Sequence, residues 1–231
     1  MEDFFMKMFK KIAATVMAAA MSLAMLTACG GGGGGSTTQY KMAKVLAESQ
    51  KTGKVYSDIT TTIDGGLFNK NWVGKSIQVN AKTAADSKAG KTCTLLEVQG
   101  DKTMVMVTND GSTYEISTDK VTNEPYWSKI GSNAMLGAAA SAVPSNSDIS
   151  KLQIRPDYEY NGTSYYAEVI TADGTEIAYC FDGDNLVYIV MNVSGVQIAE
   201  KVNEISGHFP AQVDPELPMS YDEVMNLPTR G

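Results

Sequence analysis

Residues 161–190 read NGTSYYAEVITADGTEIAYCFDGDNLVYIV. Three turn signals punctuate the stretch: Asn161-Gly162, Asp173-Gly174 and Asp182-Gly183-Asp184-Asn185. Asn-Gly and Asp-Gly accept the positive φ angles of tight hairpin turns at little cost, so the runs between them read as antiparallel strands. Within Thr175–Phe181, Ile177, Tyr179 and Phe181 fall on one face, and Glu176, Ala178 and Cys180 on the other. Asn185–Val193 is apolar on both faces, as suits a strand covered from both sides. Ser194-Gly195 then turns the chain into VQIAEKVNEIS, a further strand pattern.

Upstream, the period of two recurs in KVYSDITTTIDGG (54–66), KSIQVNAKT (75–83), KTCTLLEVQG (91–100), KTMVMVTNDG (102–111) and STYEISTD (112–119). Gly100-Asp101 and Asn109-Asp110-Gly111 separate neighbouring runs. QYKMAKVLAESQ (39–50) is different. Met42, Ala43, Leu46 and Ala47 share one helical face, and Gly53 ends the pattern. The β rhythm breaks again in PYWSKIGSNAMLGAAASAVPSNSD (125–148), where Trp127, Ile130, Ala134, Met135 and Ala138 fall at helical spacing. This predicts a helical segment that serves as lid, crossover or linker. The expected fold class is therefore α+β, mainly antiparallel β. Nine or ten strands would form a curved sheet, sandwich or barrel, with an N-terminal helix and a helical cover segment.

The N-terminus carries a different kind of message. Lys7, Lys10 and Lys11 precede a 17-residue apolar run, Ile12–Ala28, that ends in small residues. That is the layout of a secretory signal peptide. Glu2 and Asp3 dilute the basic start, and translation from Met6 or Met8 would restore it. Leu26-Thr27-Ala28-Cys29 resembles the lipobox of bacterial lipoproteins. The resemblance implies cleavage between Ala28 and Cys29 and a diacylglycerol thioether on Cys29. Each buried methylene contributes roughly 0.8 kcal/mol, so two or more acyl chains anchor stably where one binds marginally. Gly30–Gly35 would then be a flexible tether with a reach of ~13 Å. The expected organisation is a signal peptide (1–28), a lipidated cysteine with its tether (29–38), and one β domain (39–231).

The formal net charge is −7, with 26 acidic against 19 basic residues and no basic run. Nucleic acid is not expected as a partner. Cys93 and Cys180 are the remaining cysteines, and export would permit a disulfide; their spacing leaves open whether they pair or pack as small hydrophobes.

The run from Asn161, followed by NEISGHFPAQVDPELPMSYDEV (203–224), resembles the C-terminal half of lipoproteins from Gram-positive gut bacteria. Their fold is similar to the lipoprotein carrier LolA and the mycobacterial LppX group. In that family a tyrosine-rich hairpin pair ends in Phe-Asp-Gly-Asp, and a Val-Asp tail closes the chain. Here the tail is Val213–Tyr221, with Pro218 one place early. The resemblance implies an unclosed half-barrel with helices in its open side and acyl chains as the ligands of characterised members.

Candidate sites are sparse. His208 is the only histidine, no Gly-x-Ser-x-Gly elbow occurs, and no catalytic constellation can be assembled. A zinc site with several histidine or cysteine ligands lacks the residues. Asp182–Asn185 has a calcium-like opening, but Leu186 stands where a fifth-position oxygen is needed, so a hairpin turn is expected. Tyr158, Tyr160, Tyr165, Tyr166, Tyr179 and Tyr188 cluster in one β run, suited to cross-strand packing or to stacking on a sugar or acyl chain. The functional expectation is a non-enzymatic lipoprotein, anchored on the extracytoplasmic face of the cell membrane through Cys29, that binds a hydrophobic or lipid ligand without a cofactor or metal. The alternatives are a structural or interaction lipoprotein of the envelope and a sugar-binding accessory protein.

Overall fold

A computed structural model describes residues 39–64, 74–132, 149–172, 175–193 and 196–230. The expected signal peptide, Ala28, Cys29 and the expected glycine tether lie outside them, as do Asp173-Gly174 and Ser194-Gly195, where the sequence predicts turns. Helix α1 (Lys41–Thr52) leads into β1 (Lys54–Asp64), β2 (Ser76–Asp86), β3 (Lys91–Val98), β4 (Asp101–Thr108), β5 (Ser112–Thr118) and β6 (Pro125–Ser132). Then follow β7 (Gln153–Tyr160), β8 (Thr163–Ala172), β9 (Thr175–Asp182), β10 (Asn185–Val193), β11 (Val196–Ser206), the short helix α2 (Tyr221–Met225) and β12 (Thr229–Arg230).

The described residues form twelve strands rather than the nine or ten expected, all in one open sheet ordered β12-β6-β5-β4-β3-β2-β1-β11-β10-β9-β8-β7. Every described pairing is antiparallel except β12 with β6. The protein is thus mainly antiparallel β. Two meanders, β1–β6 and β7–β11, meet where β1 pairs with β11. Turn chemistry explains the hairpins. Asn161 and Gly162 take φ of 49° and 74°, the double left-handed geometry of a two-residue turn. The β3–β4 turn falls on Gln99-Gly100 (φ 53° and 89°), one residue earlier than the Gly100-Asp101 expected from sequence.

The helix forms where expected. Gly53 caps it in the left-handed conformation at φ 78°, its N–H donating to Ser49 O at 2.8 Å. Residues 125–132 correct the sequence reading: they form a strand, not the start of a helix. Trp127 is buried, whereas Ile130 is 40% exposed, so the two do not share one buried face. The apolar spacing fits a helix on paper, but this segment pairs with β5 along its length and with β12 at Trp127 and Ser128, which satisfies much of its backbone as a strand. Residues 133–148 lie outside the described ones.

Ladder register separates the two sheet faces. One face carries Val55 and Ile59 of β1, Ile177 and Tyr179 of β9, and Ile189 and Met191 of β10. These pack with Met42 and Leu46 of α1 and with Ile149 and Leu152. The opposite face of β1–β6 carries Tyr56, Cys93, Met104, Met106 and Trp127. Residues 207–230 cross that face as a strap, inserting Val213, Tyr221, Val224 and Met225. Trp127 Nε1 donates to Val224 O at 2.8 Å, Lys91 Nζ to Met225 O at 2.7 Å, and Tyr221 OH to Lys82 O at 3.2 Å.

Candidate functional site

The strap covers only part of its face. Beyond it, on the face opposite α1, a groove of about 700 Å³ runs across β1, β2, β10 and β11 and reaches the end of β7. Cross-strand register builds its floor. Tyr188 stands opposite Lys201, Lys201 opposite Thr60, and Thr60 opposite Asn80. Thr62 stands opposite Gln78, and Asn192 opposite Gln197. Strand alternation that points apolar residues toward α1 necessarily turns these polar ones the other way.

The floor is hydrogen-bonded before any ligand arrives. Asn203 Nδ2 donates to Thr60 Oγ1 at 2.9 Å and to Asp58 Oδ1 at 3.0 Å. Thr60 Oγ1 and Gln78 Nε2 donate to Asn80 Oδ1 at 3.1 Å and 3.0 Å. Lys201 is exposed in the groove lining and makes no ion pair among the described residues. One side of the groove is a tyrosine wall. The rings of Tyr160 and Tyr165 stand 5.2 Å and 5.8 Å from that of Tyr188. They rise over small residues, Ala167, Ala178, Cys180 and Ala199, whose size leaves room for the rings. Burial raises the Tyr160 hydroxyl above its ordinary pKa.

Two acidic residues sit buried on the other face. Glu168 accepts the N–H groups of Lys41 and Met42 at 2.5 Å and 2.9 Å and so caps α1 from β8. Glu200 is 1% exposed, its Oε2 has no partner among the described residues, and burial pushes its carboxyl up to about 8.

The residues singled out in the sequence fall in several places. Tyr160 and Tyr188 line the groove, and Tyr165 backs them. Tyr158 packs behind the wall, while Tyr166 and Tyr179 belong to the α1 side. His208 is exposed, 3.9 Å from Glu48. The Asp182–Asn185 segment is a hairpin turn gripped by α1: Lys41 Nζ donates to Gly183 O, and Lys44 Nζ lies 3.4 Å from Asp184. Cys93 and Cys180 are both free, one under the strap and one beneath the tyrosines. Among the described residues no cluster of His, Cys, Asp and Glu could hold a metal ion, and no helix is long and apolar enough to cross a membrane. Sequence reading missed Thr60, Thr62, Gln78, Lys201 and Asn203. The only available signal was polarity at alternate positions, which every solvent-facing strand shares.

No family model matches the chain, and no curated protein does. Among solved structures it is similar to an uncharacterized conserved protein from Thermus thermophilus, at 11% identity and a TM-score of 0.35, over 72% of this chain and 87% of that one.

Proposed function

We propose that this protein is a non-enzymatic interaction lipoprotein, held on the extracytoplasmic face of the membrane by acyl chains on Cys29. The observation that carries the reading is the order of the N-terminal residues: a basic start, the apolar run Ile12–Ala28, then Leu-Thr-Ala-Cys and a glycine tether. The open sheet is further read as a half-barrel of the LolA and LppX kind, wrapped about α1 on its apolar face. That face supports an interaction role better than a lipid-filled hollow, because α1 and residues 149–152 already occupy the part in contact with them. A bound acyl chain would have to displace Met42 and Leu46. The absence of any acid, base and nucleophile set in the sequence supports the non-enzymatic reading.

Expression of the full chain in a bacterium fed an alkyne-bearing fatty acid tests the anchor. The protein is expected to take the label and to fractionate with membranes, and Cys29→Ser to lose both. Label retained on Cys29→Ser, or an unlabelled wild type, would reject the proposal. Lipid co-purifying in a one-to-one ratio with the Cys29→Ser protein would instead restore the lipid-carrier reading.

A further inference from the structure

We infer that the groove on the face opposite α1 is a binding site for an oligosaccharide. This deepens the interaction role proposed above by naming a ligand class, and it stands on geometry independent of Cys29.

The lining combines two kinds of surface. Tyr160 and Tyr188 present aromatic rings, while Thr60, Thr62, Gln78, Gln197, Lys201 and Asn203 present hydroxyls, amides and one ammonium. A pyranose has the matching duality. Its axial C–H groups make an apolar face that stacks on an aromatic ring, and its equatorial hydroxyls each donate and accept. The Gln78 and Gln197 amides, each with one N–H engaged, can meet a vicinal diol with one donor and one acceptor at once, while Asn203 offers its carbonyl oxygen. The Asp58–Asn203–Thr60–Asn80–Gln78 network holds several of these groups in place, which lowers the ordering cost of binding. At about 700 Å³ the groove falls within the ~300–1,000 Å³ typical of small-molecule sites, large enough for more than one sugar ring.

Other ligand classes fit worse. An acyl chain would cover the polar lining, the Lys201 ammonium included, without replacing the hydrogen bonds those groups make to water. A polyanion would find a single cation, Lys201, among the described lining residues. A β-strand peptide adds to a sheet edge, whereas β1, β2, β10 and β11 are interior strands.

The test applies the full-length protein, in a zwitterionic detergent without a sugar head group, to a printed array of neutral and uronate-bearing oligosaccharides two to six sugars long. Titration calorimetry then follows with the strongest binder. We expect saturable binding that weakens about tenfold in each of Lys201→Ala and Gln78→Ala, both exposed and removable without disturbing the core. A preference for uronates lost in Lys201→Ala would assign the ammonium to a sugar carboxylate. An array without signal from folded, acylated protein would overturn the inference while leaving the anchor intact. Binding indifferent to both substitutions would overturn it as well.

Discussion

The carboxylate of Glu168, on β8, accepts the N–H of Met42, in the first turn of α1, at 2.9 Å, across 126 residues of chain. Its other oxygen takes the N–H of Lys41. Tyr40 at the N-cap supplies no side-chain cap, and the first turn carries no acidic residue. A helix start that is bare in sequence is therefore capped from the sheet, where a negative group also complements the helix dipole.

Removing that cap should undock the helix. Glu168→Ala leaves two N–H groups without their acceptor at a buried site and is expected to cost about 2–4 kcal/mol. Glu168→Gln keeps one acceptor and should cost less. Urea unfolding followed by circular dichroism checks both, and equal losses would contradict the capping role.

Glu200 should make stability fall as pH rises. Its folded pKa of about 8 lies above the ordinary value of 4.5. Below 4.5 both folded and unfolded chains hold the proton, and Glu200 has no effect on the slope. Between those values the unfolded chain releases the proton and the folded one keeps it, so stability drops by about 1.4 kcal/mol per pH unit. The drop levels off above about pH 8. Glu200→Gln should remove this slope, so its advantage over wild type grows from pH 4.5 to 8; a difference independent of pH would refute the assignment.

Gly207 allows α1 to approach the strap. A Cβ there would lie 2.6 Å from the Glu48 carbonyl carbon and from Ser49 N, both backbone atoms of the helix. Gly207→Ala is expected to cost about 1–3 kcal/mol by overpacking, read as a lowered urea midpoint. Gly100→Ala meets no neighbour within 4 Å and should show only the smaller penalty of its positive φ.

The two core thiols should be silent in the native state. Burial pushes Cys180 up to about 12 and raises Cys93 further still. Intact-mass spectrometry after alkylation at about pH 8, near the ordinary thiol pKa, should show no adduct on either. Two further adducts should appear once denaturant is added without reductant. Absence of those adducts would indicate a disulfide.

The local part of this fold is legible in the sequence alone. Asn161-Gly162 and Asp182–Asn185 marked hairpins because left-handed backbone favours glycine and asparagine, and Gly53 marked the end of α1 for the same reason. The facing of Ile177, Tyr179 and Phe181 away from Ala178 and Cys180 followed from the two-residue period alone. The proposed N-terminal anchor rests on residue order alone, since a lipobox is recognised by processing enzymes as a sequence and not as a fold.

Tertiary contact decided the rest. Trp127 belongs to a strand because β5 and β12 pair with its backbone and Val224 accepts its indole N–H, partners up to about a hundred residues away. Glu168 becomes a helix cap, and Glu200 is buried with its Oε2 unpartnered among the described residues, only once the two meanders join along β1 and β11. The groove exists for the same reason: Tyr188, Lys201 and Thr60 lie in one row solely through that register. Polar alternation tells which residues leave the core, but only the pairing of distant strands determines which of them stand side by side.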